Sequence, residues 1–120
     1  MSVPKNKLGV KGEKKAAQFL LKKGYSILGK NIRVGKVEVD LLARKHDILC
    51  LVEVKTRASA DFGFPEEFVD RNKQARLIRA AKLLASRKPY RDLHIRFDII
   101  SVLYQGKTFE INHIENAFEE

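Results

Sequence analysis

Two short runs carry the groups that could do chemistry. In Val37-Glu38-Val39-Asp40-Leu41-Leu42-Ala43 the acids alternate with apolar residues, and in Ile48-Leu49-Cys50-Leu51-Val52-Glu53-Val54-Lys55 an almost wholly apolar run ends in a carboxylate and an ammonium. Side chains alternate along a strand, so Glu38 and Asp40 are expected on one face, with Val37, Val39 and Leu41 on the other, and Glu53 shares a side with Lys55. If the runs pair as a hairpin with these faces coincident, three carboxylates and one lysine crowd one spot on an apolar sheet. Such carboxylates repel unless they take up protons or share a cation. A hard divalent ion, Mg²⁺ or Mn²⁺, is the expected partner, because it takes oxygen ligands and keeps waters that a phosphate can displace. The alternative is an ion pair of Lys55 with Glu53 or Asp40 that holds nothing, although buried pairs are costly and rarely selected for stability alone.

The surrounding pattern supplies the elements that must position these groups. Residues 1–7 are polar and expected to fray, and from Gly9 to Lys23 the spacing predicts a helix whose stripe is Ala16, Ala17, Leu20 and Leu21, closed by Gly24. Glu13 shares that stripe, either stabilised by the helix N-terminus or aimed at the metal site. Tyr25 to Arg33, broken near Gly29, is a first strand, and the two runs above complete an antiparallel meander through turns at Gly35-Lys36 and Lys45-His46-Asp47. A small-residue loop with Phe62 and Phe64 leads to Pro65-Glu66-Glu67, a helix start. That helix runs to about Lys88 and buries Phe68, Leu77, Ala81 and Leu84. Along one side of it recur Lys73, Arg76 and Arg79, either a solvated face or a track for phosphates. Leu93 to Val102 is a fourth strand returning parallel to the third by a crossover. Thr108 to Asn112 is a fifth, before a short acidic tail, so the order is αβββαββ.

At 120 residues the chain fits one domain. Lysine and arginine number 24 against 15 acids, a net +9, which favours a polyanionic partner: nucleic acid first, an anionic membrane surface second. No apolar run approaches the ~20 residues of a membrane span. Cys50, the single cysteine, lies within an apolar run and suits a reducing cytoplasm as a small buried hydrophobe. His46, His94 and His113 have no metal-ligand spacing and are expected at the surface or in turns.

An Asp followed by Glu-x-Lys on the adjoining strand resembles the PD-(D/E)xK nucleases, whose core is restriction-endonuclease-like. Val39 stands where that superfamily often has proline. Further words resemble the YraN family of uncharacterised bacterial proteins: Gly12-Glu13, Gly24-Tyr25, Glu38-Val39-Asp40-Leu41, Val52-Glu53-Val54-Lys55-Thr56-Arg57, Lys73, Arg96-Phe97-Asp98 and His113-Ile114-Glu115-Asn116-Ala117-Phe118. Val37 replaces a glycine often found before the family's Glu-x-Asp. The resemblance implies a central mixed five-stranded sheet flanked by helices and a nuclease-type site. The chain is also similar to archaeal Holliday-junction resolvases in its helix glutamate, Asp and ExK order. By that likeness Glu13, Asp40, Glu53 and Lys55 would be the site, with Asp40, Glu53 and the backbone oxygen of Val54 holding Mg²⁺ or Mn²⁺ and Glu38 as an accessory. The expected activity is phosphodiester hydrolysis in DNA ahead of RNA, at branches or ends, with Arg57, Lys73, Arg76 and Arg79 on the backbone and a homodimer as an option. Two rivals remain: a nucleic-acid-binding module without turnover, and an adaptor using the Phe62-Phe64 loop and acidic tail.

Overall fold

A computed structural model describes residues 7–58 and 69–120. Within them helix α1 (Lys7–Lys22) precedes strands β1 (Ser26–Val34), β2 (Val37–Lys45) and β3 (Ile48–Arg57). Helix α2 (Arg71–Ala85), a short 3-10 turn (Lys88–Tyr90) and strands β4 (His94–Gln105) and β5 (Thr108–Phe118) follow. The residues proposed for the aromatic loop and the Pro65 helix start, Phe68 among them, lie outside the described residues. The five strands stand in sequence order, antiparallel except for β3 and β4, which α2 joins as a parallel pair. This mixed sheet in the order αβββαββ is the restriction-endonuclease-like architecture that the resemblance implies.

Tight turns set the registers. Lys45 pairs with Ile48, leaving His46-Asp47 as a two-residue loop with His46 at φ 54°, and this fixes Leu41 opposite Val52. β3 is buried from Leu49 to Glu53 because both faces are covered. On one face Ala16, Ala17 and Leu20 of α1 pack on Leu41, Ala43, Cys50, Val52, Ile100 and Val102. On the other, Leu77, Ala80, Ala81 and Leu84 of α2 cover Val39, Leu42, Leu49, Leu51, Phe97 and Ile99.

Several expectations are corrected. Leu21 is 56% exposed, because the stripe in contact with the sheet is narrower than the run of apolar residues. α2 begins at Arg71, after Asp70 in extended conformation, whose carboxylate accepts the Lys73 N–H at 2.8 Å. This cap sets the start, where the proline and acids suggested an earlier one. β5 continues to Phe118, since the supposed tail pairs with β4 as far back as Phe97. Val39 and Leu41 pack on opposite faces of the sheet, so strict alternation fails between them, at Asp40.

Candidate functional site

The break at Asp40 makes the site. β2 and β3 are paired only from Leu41↔Val52 to Lys45↔Ile48, whereas β2 stays paired with β1 to its other end, Val34↔Val37. Beyond Leu41, therefore, β2 splays from β3 and leaves a notch. In place of the next ladder bond, the Val54 N–H donates to Asp40 Oδ2 at 2.9 Å, fixing that carboxylate in the mouth of the notch. Glu53, the residue before, is buried and in side-chain contact with Asp40. Its carboxyl is pushed up to about 7, by burial first and then by the Asp40 charge, against the pull of Lys73 and Lys55.

Lys73 reaches the pair from the first turn of α2, with Nζ 3.8 Å from Glu53 Oε2. Lys55 lies two residues along β3 on the same side and is half-buried. Glu53 Oε2 is buried and accepts no hydrogen bond. Two adjoining carboxylates, one oxygen with unused acceptor capacity and a nearby peptide carbonyl at Val54 make a hard-oxygen donor set that fits Mg²⁺ or Mn²⁺.

The other expected residues are placed as follows. Glu38 faces Arg33 across β1 and β2, beyond the point where β2 leaves β3. Among the described residues no three His, Cys, Asp or Glu form a metal-holding group, so the unit here is the Asp40–Glu53 pair. Glu13 is buried on α1 next to Gly12, whose Cα lies against Thr56 near the end of β3. A β-carbon at Gly12 would come 2.0 Å from Thr56 Oγ1, so the missing side chain lets α1 approach. Arg57 is exposed at the end of β3. Arg76 and Arg79 line a groove with Lys36, Val34 and Val37, beside the β1–β2 turn.

Sequence reasoning gave no role to a second polar cluster, on the α1 face. Asp98, fully buried on β4, accepts Arg96 Nε and Nη2 at 2.9 Å each, His113 Nε2 at 2.7 Å and the Asn116 N–H at 3.0 Å. Burial would raise the Asp98 carboxyl, but the hydrogen bonds from His113 and Arg96 prevail and hold it below the ordinary range. Arg96 also donates to the Tyr25 hydroxyl. Lys23 Nζ lies 2.9 Å from His113 Nδ1, and since an ammonium only donates, Nδ1 accepts and Nε2 carries the hydrogen given to Asp98. His113 was expected at the surface, yet its side chain is 3% exposed. The usable signal was Arg96-x-Asp98, two opposite charges on one face of an apolar strand.

The model of the uncharacterised protein family UPF0102 matches residues 12–102. The chain is 48% identical over 113 residues, 94% of each chain, to a UPF0102 protein of Flavobacterium psychrophilum. It is 42% identical over 119 residues to one of Caldanaerobacter subterraneus subsp. tengcongensis, covering 97% of this chain and 98% of the relative. Against one of Dictyoglomus thermophilum it is 43% identical over 113 residues, 92% of this chain and 96% of the relative.

Proposed function

This chain belongs to the uncharacterised protein family UPF0102, and we propose that it is a metal-dependent nuclease hydrolysing phosphodiester bonds in nucleic acid, DNA ahead of RNA. The observation that carries the reading is Asp40 seated in the notch on the Val54 N–H, in contact with a buried Glu53 whose carboxyl is raised to about 7. Two buried carboxylates set against each other are an arrangement that stability alone does not favour.

Asp40, Glu53 and the Val54 carbonyl oxygen would hold Mg²⁺ or Mn²⁺. When bound, that ion supplies positive charge to a phosphate oxygen and acidifies a water. The Val54 N–H keeps Asp40 in one orientation, so the donor set is ordered before substrate arrives. Lys55, on the Glu53 side of β3, meets the negative charge that grows on the phosphoryl oxygens. Lys73, Arg76 and Arg79 project from α2 along one flank, where they hold backbone phosphates and confer affinity rather than sequence choice. Branched DNA, as suggested by the likeness to resolvases, is the first substrate to try.

One observation favours a second reading, a binding module without turnover: the Lys73 ammonium already stands 3.8 Å from Glu53 Oε2, where it serves as a resident counter-ion. The deciding experiment is cleavage of end-labelled linear, forked and four-way DNA with Mg²⁺ or Mn²⁺, by the natural chain and by Asp40→Asn, Glu53→Gln and Lys55→Ala. Loss of cleavage in all three, with folding retained, is the expected result. Metal-dependent cleavage that survives the Asp40→Asn/Glu53→Gln pair would exclude this site.

A further inference from the structure

A second cationic surface lies on the α1 side of the sheet. Lys11, Lys14 and Lys15 of α1, Lys107 of the β4–β5 turn, Gln18, Tyr104 and Phe109 line one open groove. None of the four lysines is ion-paired with an acid of the described residues, and Glu110 alternates to the other face of β5 from Phe109 and Ile111. The groove therefore gathers four like charges that no acid of the described residues pairs. Its floor is aromatic. Tyr104 and Phe109 face each other across β4 and β5 with ring centroids 6.0 Å apart, Phe109 is 39% exposed, and the Lys15 ammonium stands 4.5 Å from its ring centre. The Tyr104 hydroxyl is buried beneath this surface without a hydrogen-bond partner.

We propose that this lysine-and-aromatic groove between α1 and the β4–β5 hairpin binds a single strand of nucleic acid, phosphates on the lysines and a base on Phe109. Exposed π-faces among clustered cations suit an unstacked base and its backbone, since stacking tolerates any sequence and the lysines follow the phosphates. A rigid duplex offers no free base face, and an acidic peptide would use the lysines but not the ring. The position supports the assignment. Gly12 packs on Thr56, and Arg57 pairs with Leu103, the neighbour of Tyr104, so the groove opens where β3 ends. Glu53 stands four residues back on the same strand, about 13 Å away at the rise of a strand. The notch and the groove lie on opposite faces of the sheet, so a strand leaving the carboxylates past Lys55 and Arg57 would pass round the end of β3 to reach the groove.

The inference rests on the nucleic-acid reading above and names the form that the site engages. The test is binding of fluorescein-labelled oligo-dT in EDTA, followed by anisotropy across a salt series. Phe109→Ala is expected to weaken binding by about 5- to 150-fold, the loss of one base stack. Lys14→Glu/Lys15→Glu should flatten the log–log salt slope by about 1.4, two single-strand phosphate contacts. Oligo-dT binding unchanged in both groove variants would overturn the groove and leave the hydrolase reading intact if cleavage persists. Equal affinity for oligo-dT, poly-glutamate and anionic phosphatidylserine vesicles, indifferent to Phe109→Ala, would also overturn it, because charge alone would then explain binding. Groove-dependent binding by a chain that cleaves nothing would sustain the groove and remove the hydrolase.

Discussion

Glu53 should make the protein less stable as pH rises through neutrality, and a divalent ion should reverse the loss. Its carboxyl sits at about 7 in the fold against an ordinary 4.5, so the folded state holds a proton that the unfolded chain has released. A raised value means that the favourable contribution is complete below about 4.5 and disappears as pH climbs to 7 and beyond. The shift corresponds to about 3 kcal/mol, as an order of magnitude for a residue this buried. On a domain of this size that is roughly 10 °C in melting temperature. The assay is urea denaturation of the natural chain and Glu53→Gln at pH 5 and pH 8 in EDTA. Glutamine resembles the protonated acid, so the variant should lose this component of the pH dependence, and subtraction removes the histidines common to both. Adding Mg²⁺ at pH 8 at about a hundred times its dissociation constant should restore about 2.7 kcal/mol to the natural chain and little to the variant. Parallel pH profiles for the two proteins, or equal Mg²⁺ stabilisation of both, would refute the reasoning.

Three further outcomes are expected. Gly12→Ala should cost about 1–3 kcal/mol although alanine favours helix, since its β-carbon meets Thr56; a double-mutant cycle with Thr56→Ala, read by chemical denaturation, should show coupling of about 0.5 kcal/mol or more. Asp98→Asn should destabilise by about 3 kcal/mol or more by removing the carboxylate from Arg96. Because the Asp98 carboxyl is held low, its contribution is present above the ordinary value of 3.8 and lost as pH falls further, so the natural chain's stability should drop more steeply below pH 4 than the variant's. Cys50, with its thiol pushed to about 12 by burial, should resist alkylation by iodoacetamide at pH 8 until the protein is unfolded, and fast stoichiometric labelling of the native form would contradict that placement.

The element order was legible because it rests on local rules: period-two burial, glycine and two-residue turns, and a crossover helix between parallel strands. Strict alternation could not show that Val39 and Leu41 pack on opposite faces, because the break at Asp40 comes from a side chain replacing a ladder bond. Asp70 as the cap of α2 was not read from the sequence, because Pro65-Glu66-Glu67 drew attention to an earlier start that lies outside the described residues. The Asp98 network was hidden because Lys23 and His113 lie 90 residues apart and meet only through the fold. His113 read as a turn residue only while β5 was taken to end at Asn112.

The meander also bears on the order in which the molecule assembles. Asp40 and the Val54 amide are 14 residues apart, whereas β3 and β4 first meet at Ile48↔His94, across a far longer loop. Closing the longer loop costs about 1 kcal/mol more chain entropy, before the crossover helix is ordered. Nucleation is thus favoured in the first three strands, with the distal hairpin docking afterwards. The carboxylate pair would then exist early in folding, and a cation captured by it would accelerate refolding as well as slow unfolding.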